Sequence, residues 1–384
     1  MKASLRTVRL RLAEPLRIFR STTTARDAVR LSIEHQGLHG HGETVTSVYY
    51  GLDTATVAHW LDRCGHALAR FPDPETALES LSTPAGQAPG DAGGAGGPVV
   101  PGTPPAVTAA VESALLDLVG KRAGLPVHRL LGTATTPVAA TARTIGITTP
   151  ANAATLAARL AADGFTVIKL KAGSSDPEDD VARVRAVRAA APHVRLLLDP
   201  NGGWSGSAAP ALLGRFAELG VEAVEQPVAP GAPEALARLA ARSPLPVIAD
   251  EDAVGIEDAR RLAGRVHGIN VKLAKCGGVS AVLRIAGLIA GSGTGLMLGC
   301  LTASSLGIAP AVHLADRARW TDLDGHLLLD HDPWTGIGGT DGIVRASSHP
   351  GLGVRPRTPF DGPRSHPVAD ATAREPVHEG GTNR

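Results

Sequence analysis

Short hydrophobic runs alternate with Ala- and Leu-rich stretches along the chain from residue 138 onward. The runs are rich in Val, Ile and Leu, and the stretches between them place apolar residues three and four positions apart, as in helices. The pattern therefore predicts strands that alternate with helices. The eight predicted strands are residues 139–145, 166–171, 195–199, 223–225, 246–250, 268–272, 295–298 and 320–323.

The spacing of these strands predicts their arrangement. From the second strand to the seventh, the strand ends recur every 22 to 28 residues, which is the length of one strand, one helix and two short loops. Strands that alternate with helices form parallel sheets. The chain is therefore predicted to be an α/β protein with a (β/α)8-type barrel over residues 133–354, and a doubly wound open sheet is the weaker alternative.

The N-terminal part has a different pattern. Polar and apolar residues alternate over residues 5–12, 28–34 and 37–45, which predicts strands, and the last two form a hairpin. Residues 54–69 have helical spacing, and residues 106–123 form a predicted amphipathic helix that ends at Gly124 and Pro126. Residues 1–132 are thus predicted to be a separate α+β domain.

Two segments lack any periodic pattern. Residues 84–105 are almost entirely Gly, Pro and Ala, which predicts a flexible insertion in the N-terminal domain. Residues 355–384 are polar and Pro-rich, and we predict a disordered tail there.

Composition excludes several classes of function. Lys and Arg total 38 against 37 Asp and Glu, so the chain lacks the excess positive charge of a nucleic-acid-binding protein. Three cysteines without a CxxC motif indicate neither a disulfide framework nor a zinc ribbon, and they fit a reducing cytoplasm. The N-terminus lacks the apolar core of a signal peptide, and no apolar run is long enough for a membrane span. We therefore predict a cytoplasmic protein that binds neither nucleic acid nor membrane.

Five successive predicted strands carry an ionisable residue at their C-terminal ends: Lys171, Asp199, Glu225, Asp250 and Lys272. In a barrel of this type the C-terminal ends of the strands form the active-site face. Any one of these residues alone would most simply be the first solvated residue after a strand. Five in register, three acids flanked by lysines, indicate a site.

The three carboxylates indicate a divalent cation. Asp199, Glu225 and Asp250 would repel one another in a small volume unless a cation lay between them, and an all-oxygen set suits Mg²⁺ rather than zinc. Asn201 and Glu251 lie next to these ligands in sequence and could support them. For both, a solvated loop residue is an equally good interpretation.

The lysines indicate acid–base chemistry. Lys169 and Lys171 stand at i and i+2 and so share one face of a strand, where two ammonium groups depress each other's pKa. Lys272 should approach from the opposite side, and Lys275 is a lesser candidate base. A cation that chelates a substrate carboxylate, with one base on each face of the adjacent carbon, suits a 1,1-proton transfer.

These residues resemble the enolase superfamily in its muconate-lactonising-enzyme subgroup, over roughly residues 3–350. The resemblance rests on KLK at 169–171, the three acids, the Lys of NVK at 272, and the segment 111–132. It implies a capping domain at the N-terminus, Mg²⁺ on the three acids, Lys171 and Lys272 as the acid–base pair, and Lys169 tuning them. It also implies a small-molecule substrate and a homo-oligomer.

Two further positions bear on the substrate. TDLDG places Asp322 and Asp324 at i and i+2 on the eighth strand, where dipeptide epimerases of the subgroup bind the substrate's terminal ammonium; solvated turn residues are the alternative. In Ala-Glu epimerases an Arg of a cap loop grips the substrate's side chain, and here that position falls near Arg20 or Ser21. Ala303 stands where many relatives have Glu.

The resemblance therefore implies a Mg²⁺-dependent dipeptide epimerase, an isomerase that acts at the α-carbon of the C-terminal residue through an enediolate. An N-acylamino acid racemase, an o-succinylbenzoate synthase, and a dehydratase or cycloisomerase of the same subgroup are alternatives. A non-catalytic binding protein is the third possibility, against which the intact five-residue set argues. The sequence does not identify the dipeptide.

Overall fold

The computed structural model describes residues 1–82 and 97–357. The N-terminal domain begins with an antiparallel sheet of β1 (Lys2–Ile18), β2 (Ser21–His35) and β3 (Leu38–Val45), followed by α1 (Thr54–Leu68) and α2 (Pro74–Ser82). Helix α2 was not predicted, although its start signal is present: Asp73 accepts a hydrogen bond from the backbone of Thr76, and Pro74 occupies the first helical position. Strands β1 and β2 extend beyond their predicted ends into one long hairpin.

Helix α3 (Pro105–Ala123) joins the two domains, and Gly124 ends it in the left-handed conformation at φ 68°. It is buried on nearly every side rather than amphipathic as predicted, because it lies between the cap sheet and the barrel. Strand β3 approaches it at two glycines. A Cβ on Gly40 would lie 2.1 Å from the carbonyl oxygen of Ala114, and one on Gly42 would lie 2.0 Å from that of Ala110. The Gly-rich hairpin therefore serves close helix–strand packing.

After α4 (Val127–Leu130) and β4 (Val138–Ala140), eight parallel strands form one sheet in chain order. The strands are β5 (Arg143–Ile145), β6 (Val167–Lys171), β7 (Arg195–Asp199), β8 (Val221–Glu225), β9 (Val247–Ala249), β10 (Gly268–Val271), β11 (Gly295–Gly299) and β12 (Trp320–Asp322). The helices between them are α5 (Pro150–Ala162), α6 (Pro177–Ala190), α7 (Ala209–Glu218), α8 (Pro233–Ala240), α9 (Ile256–Leu262), α10 (Leu273–Cys276), α11 (Val279–Ile289) and α12 (Ser305–Val312).

The first and last strands approach closely enough to bring the sheet near closure. The Ala142 amide donates to the Thr321 carbonyl at 2.8 Å, and the Leu323 amide donates to Oγ1 of Thr141 at 2.8 Å. The predicted barrel with an N-terminal α+β domain is confirmed. Among the described residues, however, no helix follows β12, so the eighth strand lacks the helix that a complete eight-fold repeat would have.

The chain beyond β12 returns over the barrel instead. Strand β14 (Ile343–Arg345) pairs with β4, and β13 (Trp334–Thr335) pairs with β15 (Arg355–Pro356). Order therefore extends into the predicted disordered tail as far as residue 357, because β13 supplies backbone partners there; residues 358–384 lie outside the described residues.

The predicted flexible insertion is also ordered in part. Residues 83–96 lie outside the described residues, but Pro98 is buried, and a Cβ on Gly102 would lie 3.3 Å from the ring of Trp60 on α1. The hydroxyl of Thr103 donates to the carbonyl of Val100 at 2.7 Å. Among the described residues no helix has the length and apolar character that crossing a membrane requires.

Side chains that point into the barrel form two layers two residues apart. The lower layer is apolar and plugs the barrel with Ala142, Val167, Leu197, Ala223, Ile248, Met297 and Trp320. Because strand side chains alternate, the residues two positions further along the same strands form the next layer toward the C-terminal face. That layer is polar, and it contains Thr144, Lys169, Asp199, Glu225, Asp250, Gly299 and Asp322.

Candidate active site

Lys169 lies at the centre of the polar layer. Its Nζ contacts Glu225 Oε2 at 2.6 Å, Asp322 Oδ2 at 2.7 Å and Asp199 Oδ2 at 3.1 Å. Burial alone would lower the pKa of this ammonium, but the three carboxylates raise it well above its ordinary value. The expectation that Lys169 and Lys171 depress each other's pKa is therefore wrong for Lys169, because carboxylates surround it more closely than its neighbour does.

Lys171 and Lys272 lie on opposite sides of the row of carboxylates. Lys171, at the end of β6, contacts Asp199 on β7 at 2.5 Å, and Lys272, directly after β10, contacts Asp250 after β9 at 2.7 Å. The acid-bearing strands β7, β8 and β9 separate the two lysines in the sheet order. The two lysines therefore flank the carboxylates from opposite sides.

Solvent exposure separates these two lysines from their neighbours. The side chains of Lys171 and Lys272 retain 12% and 11% exposure, whereas those of Lys169 and Lys275 retain 2% and 0%. Three acceptors surround the Lys275 Nζ: Asp250 Oδ1 at 2.6 Å, the Asp250 carbonyl at 2.7 Å and the Asn270 carbonyl at 2.8 Å. Lys275 therefore has no hydrogen left for a substrate and holds Asp250 in place.

The three acids differ in their protonation. Burial, together with the nearby charges of Asp199 and Asp250, raises the pKa of Glu225 to about 7 against the opposing effect of Lys169. Burial also disfavours ionised Asp199, but Lys171 and Lys169 reverse this and lower its pKa to about 2. Lys272 and Lys275 likewise outweigh burial and hold the pKa of Asp250 well below its ordinary value. Glu225 is thus the carboxylate whose charge is least compensated.

Asn201 and Glu251 extend the site toward the cap. The Asn201 backbone amide donates to Asp199 Oδ1 at 2.9 Å, and its Nδ2 lies 3.3 Å from Asp199 Oδ2 and 3.4 Å from Glu251 Oε1. Asn201 adopts φ 50°, in the left-handed region that Asn tolerates better than most residues with a side chain. Arg20, in the turn between β1 and β2, contacts Glu251 Oε1 at 2.8 Å, so this turn of the cap reaches the site.

The two acids of TDLDG have different surroundings. Asp322 lies inside the polar layer and pairs with Lys169, so it is part of the charged cluster rather than remote from it. Asp324 accepts the Thr144 amide at 2.7 Å, and Arg143 lies 3.4 Å from the same oxygen. Burial, followed by the charge of Asp322, raises the pKa of Asp324. Both side chains are buried, which removes the interpretation as solvated turn residues.

Two contacts of the site escaped the sequence analysis. Asn270 Nδ2 donates to Glu225 Oε1 at 2.7 Å, and a Cβ on Gly299 would lie 2.4 Å from Asn270 Oδ1, so that glycine makes room for the amide. Gln226 accepts the backbone amides of Asp250 and Asp252 through Oε1, at 3.0 and 3.2 Å. Asn270 stands two residues before Lys272 on a buried strand, and this spacing was the available signal.

Ala303 lies in the loop after β11, beside a carboxylate that the cap supplies. Glu43 of β3 reaches this loop, where it accepts the amide of Ser304 at 2.8 Å and its hydroxyl at 2.7 Å. The Glu43 side chain is fully buried, and burial raises its pKa. The loop thus has an acidic partner from the other domain.

The donor set fits a hydrated divalent cation. Within residues 1–82 and 97–357, no three Asp, Glu, His or Cys side chains are arranged closely enough to hold an ion. The ammonium group of Lys169 lies between the carboxylates instead. Four buried acceptors of the site nevertheless have no donor: Asn201 Oδ1, Glu251 Oε2, Asn270 Oδ1 and Asp322 Oδ1. Ion-bound waters would donate to such acceptors, and the positive charge would compensate Glu225. An all-oxygen set of this kind suits Mg²⁺.

Comparison with known proteins gives the family. The sequence family described as "Enolase C-terminal domain-like" matches residues 152–359 of this chain. The chain is 34% identical over 356 residues to the hydrophobic dipeptide epimerase of Roseobacter litoralis, covering 92% of this chain and 98% of that protein. It is 31% identical over 335 residues to the L-Ala-D/L-Glu epimerase of Bacteroides thetaiotaomicron, covering 87% and 82%.

A solved structure indicates the same family. The dipeptide epimerase of Enterococcus faecalis, complexed with Mg and the dipeptide L-Leu-L-Tyr, superimposes with a TM-score of 0.81 at 29% identity. The match covers 92% of this chain and 98% of that one, so it includes both the cap and the barrel. The sequence match, the barrel and the cap thus agree, and the chain belongs to the enolase superfamily.

Proposed function

We propose that this protein is a Mg²⁺-dependent dipeptide epimerase, an isomerase that inverts the α-carbon of the C-terminal residue. The observation that carries the proposal is the placement of Lys171 and Lys272 on opposite sides of a buried row of three carboxylates. The names of the relatives and the bound ligands of the similar solved structure support the same reaction.

Asp199, Glu225 and Asp250 would hold the ion, since they are the three of the four acids in the polar layer that lie on adjacent strand ends. Mg²⁺ held there would supply positive charge for the substrate's carboxylate and for the negative charge that develops when the α-proton leaves. Asn201 positions Asp199 from the side of the cap and is itself held by Glu251.

Lys171 and Lys272 would move the proton. Each holds its ammonium next to the carboxylate row and retains some exposure toward the mouth of the barrel, which a proton transfer to substrate requires. One lysine accepts the α-proton on its face of the substrate, and the other donates a proton to the opposite face. Lys169 stays charged between the carboxylates and tunes them, because its three contacts leave it no role in transfer.

Asp322 and Asp324 would bind the terminal ammonium of the dipeptide. Asp322 Oδ1 is buried without a donor, so it offers an acceptor to a cation. The rival within the subgroup is an N-acylamino acid racemase, whose substrate has no ammonium group and would leave this acceptor unpaired. That observation favours the dipeptide.

A library of L,L-dipeptides in D₂O with Mg²⁺ tests the reaction. The α-proton of the C-terminal residue should exchange for deuterium and the configuration should invert, with no change in mass other than the deuterium. Loss of water would identify a dehydratase, and turnover of N-acyl amino acids alone would identify the racemase.

Calorimetry tests the ion separately. Mg²⁺ should bind the wild-type protein, and D250N should weaken binding by roughly 100-fold, as loss of a charged ligand does. E257Q is the matched control, because Glu257 lies on the exposed face of α9. A protein that binds no Mg²⁺ would support the non-catalytic alternative. Homo-oligomerisation stays a prediction, which sedimentation velocity can check, and so does a cytoplasmic location.

A further inference from the structure

A cavity of about 550 Å³ lies on the outside of the barrel, between helices α7 and α8. Its lining includes three buried apolar residues, Trp204, Leu213 and Val228. Trp204 and Val228 belong to the loops before the two helices, and an isolated bridge joins them at 3.0 Å between the Trp204 amide and the Pro227 carbonyl. Sites for small molecules commonly have volumes of roughly 300–1,000 Å³, so this cavity has the size of a ligand site.

One wall of the cavity carries two arginines. Ala235, Arg238 and Leu239 stand three and four residues apart, so they share one face of α8, and Arg242 follows two residues after the helix ends. Among the described residues that line the cavity, none is Asp or Glu. The wall is therefore positively charged, with apolar side chains between the charges.

The other arginines of this part of the barrel are paired with carboxylates. The pairs, from α7 to the end of α9, are Arg215 with Glu178, Arg260 with Glu257, Arg261 with Asp258, and Arg265 with Glu234. Within the part of the chain that the structure describes, the side chains of Arg238 and Arg242 have no such partner. Glu234 stands four residues before Arg238 on the same helix, yet it pairs with Arg265. Both guanidinium groups at the cavity thus keep their donors free.

A small anion with an apolar body complements both features of the cavity. A guanidinium binds a carboxylate through two parallel hydrogen bonds, and these charge-assisted bonds are stronger than neutral ones. An apolar body that covers Trp204, Leu213 and Leu239 removes apolar surface from water, which is favourable.

From these observations we propose that the cavity between α7 and α8 is a second binding site, which takes a small amphipathic carboxylate. The ligand's carboxylate contacts Arg238 and Arg242, and its apolar body lies against Trp204 and Leu213. The cavity shares no residue with the carboxylate row or its lysines, so this site does not depend on the proposed epimerase function.

Octanoate is the probe, and calorimetry measures its binding to the full chain. Its Kd should be on the order of 100 μM, as expected for a ligand of this size. Acetate has the charge without the apolar body and 1-octanol has the body without the charge, so each should bind at least about tenfold more weakly. R238M and R242M should each weaken octanoate binding roughly tenfold. R260M is the matched control, because Arg260 is an exposed, ion-paired residue of α9 that does not line the cavity.

Tryptophan fluorescence locates the bound probe. Because bromine quenches an indole that it contacts, 8-bromooctanoate should quench the fluorescence of the wild-type protein through Trp204. In W204F this quenching should disappear, while calorimetry should still detect octanoate binding. Quenching that persists in W204F would place the probe elsewhere and overturn the inference.

Three further results would contradict the proposed site. Octanoate might fail to bind the wild-type protein, or bind R238M and R242M as tightly as R260M. Equal affinity for octanoate and 1-octanol would remove the role of the two arginines. A change in association state of R238E/R242E, measured by sedimentation velocity, would make this face an interface between copies of the chain instead.

Discussion

Lys272 and Lys275 hold the two oxygens of a single carboxylate, that of Asp250. Lys272 Nζ lies 2.7 Å from Oδ2, and Lys275 Nζ lies 2.6 Å from Oδ1. The two lysines stand three residues apart in sequence, yet only Lys272 keeps exposure toward the mouth of the barrel. Lys272 is therefore suited to proton transfer, whereas Lys275 is suited to holding Asp250 in place.

Substitution should separate these two roles. K275M leaves Asp250 and the carbonyl of Asn270 short of a buried donor, so we expect a loss of about 2–4 kcal/mol in unfolding free energy and weaker Mg²⁺ binding. K272M should abolish epimerisation with a smaller loss of stability. Denaturant unfolding and calorimetry measure both. Stability of K275M equal to that of the wild type would remove the supporting role.

The variants K171A and K272A should lose α-proton exchange with opposite epimers of the substrate. K171A and K272A should each reduce epimerisation by roughly 1,000-fold, as loss of a general base does. Each variant should still exchange the α-proton of one epimer, because the remaining lysine can remove and return a proton on its own face. Nuclear magnetic resonance in D₂O with the L,L- and L,D-dipeptides measures this. Exchange of the same epimer in both variants would place the lysines on one face.

Glu225 should make the metal-free protein less stable as pH rises. Its pKa of about 7 in the folded protein exceeds the ordinary 4.5, so between these values the folded state keeps a proton that the unfolded state has released. The contribution of Glu225 to the free energy of unfolding is therefore highest below pH 4.5. It falls until about pH 7, by an amount on the order of 3 kcal/mol. In E225Q this fall should disappear.

Thermal unfolding in the presence of a chelator, from pH 5 to pH 8, measures the difference. E257Q, altered at the exposed face of α9, should follow the wild-type profile. Parallel pH profiles for E225Q and wild type would contradict the assignment of the raised pKa to Glu225.

Asp322, at the end of β12, and Asp324, two residues after it, should make the enzyme require a substrate with a free amino terminus. N-acetylation of a dipeptide removes the cation that Asp322 and Asp324 are proposed to bind, so kcat/KM should fall by roughly 100-fold in the wild-type enzyme. In D324N the free dipeptide should lose most of this advantage. Initial exchange rates for paired free and acetylated dipeptides provide the comparison. Equal rates for the two substrates would favour the N-acylamino acid racemase.

Gly42 should tolerate no side chain. A Cβ there would lie 2.0 Å from the carbonyl oxygen of Ala110, so G42A must push β3 away from α3, at a cost of about 2–3 kcal/mol. G214A is the control, because Gly214 lies in α7 with no atom near its added Cβ, and Ala favours a helix by about 1 kcal/mol. Thermal unfolding should therefore shift in opposite directions. A G42A protein as stable as the wild type would contradict the close packing.

Much of the barrel could be predicted from the sequence because the same local pattern of strand and helix repeats along it. The ends of β6, β7 and β8 fall at Lys171, Asp199 and Glu225 as predicted. Helix α3 and the residues after 354 were less predictable. The burial of α3 depends on a second domain, and the order of β15 depends on pairing with β13.

The sequence by itself determined which side chains enter the site, because alternation along each strand places Lys169, Asp199 and Glu225 two residues beyond the apolar layer. Only the tertiary structure decided how their charges pair. Lys169 is held by three strands at once, and Arg20 reaches Glu251 across more than two hundred residues of chain. Periodicity fixes the direction of a side chain within its own element, whereas an ion pair between distant elements depends on distances that only the folded chain sets.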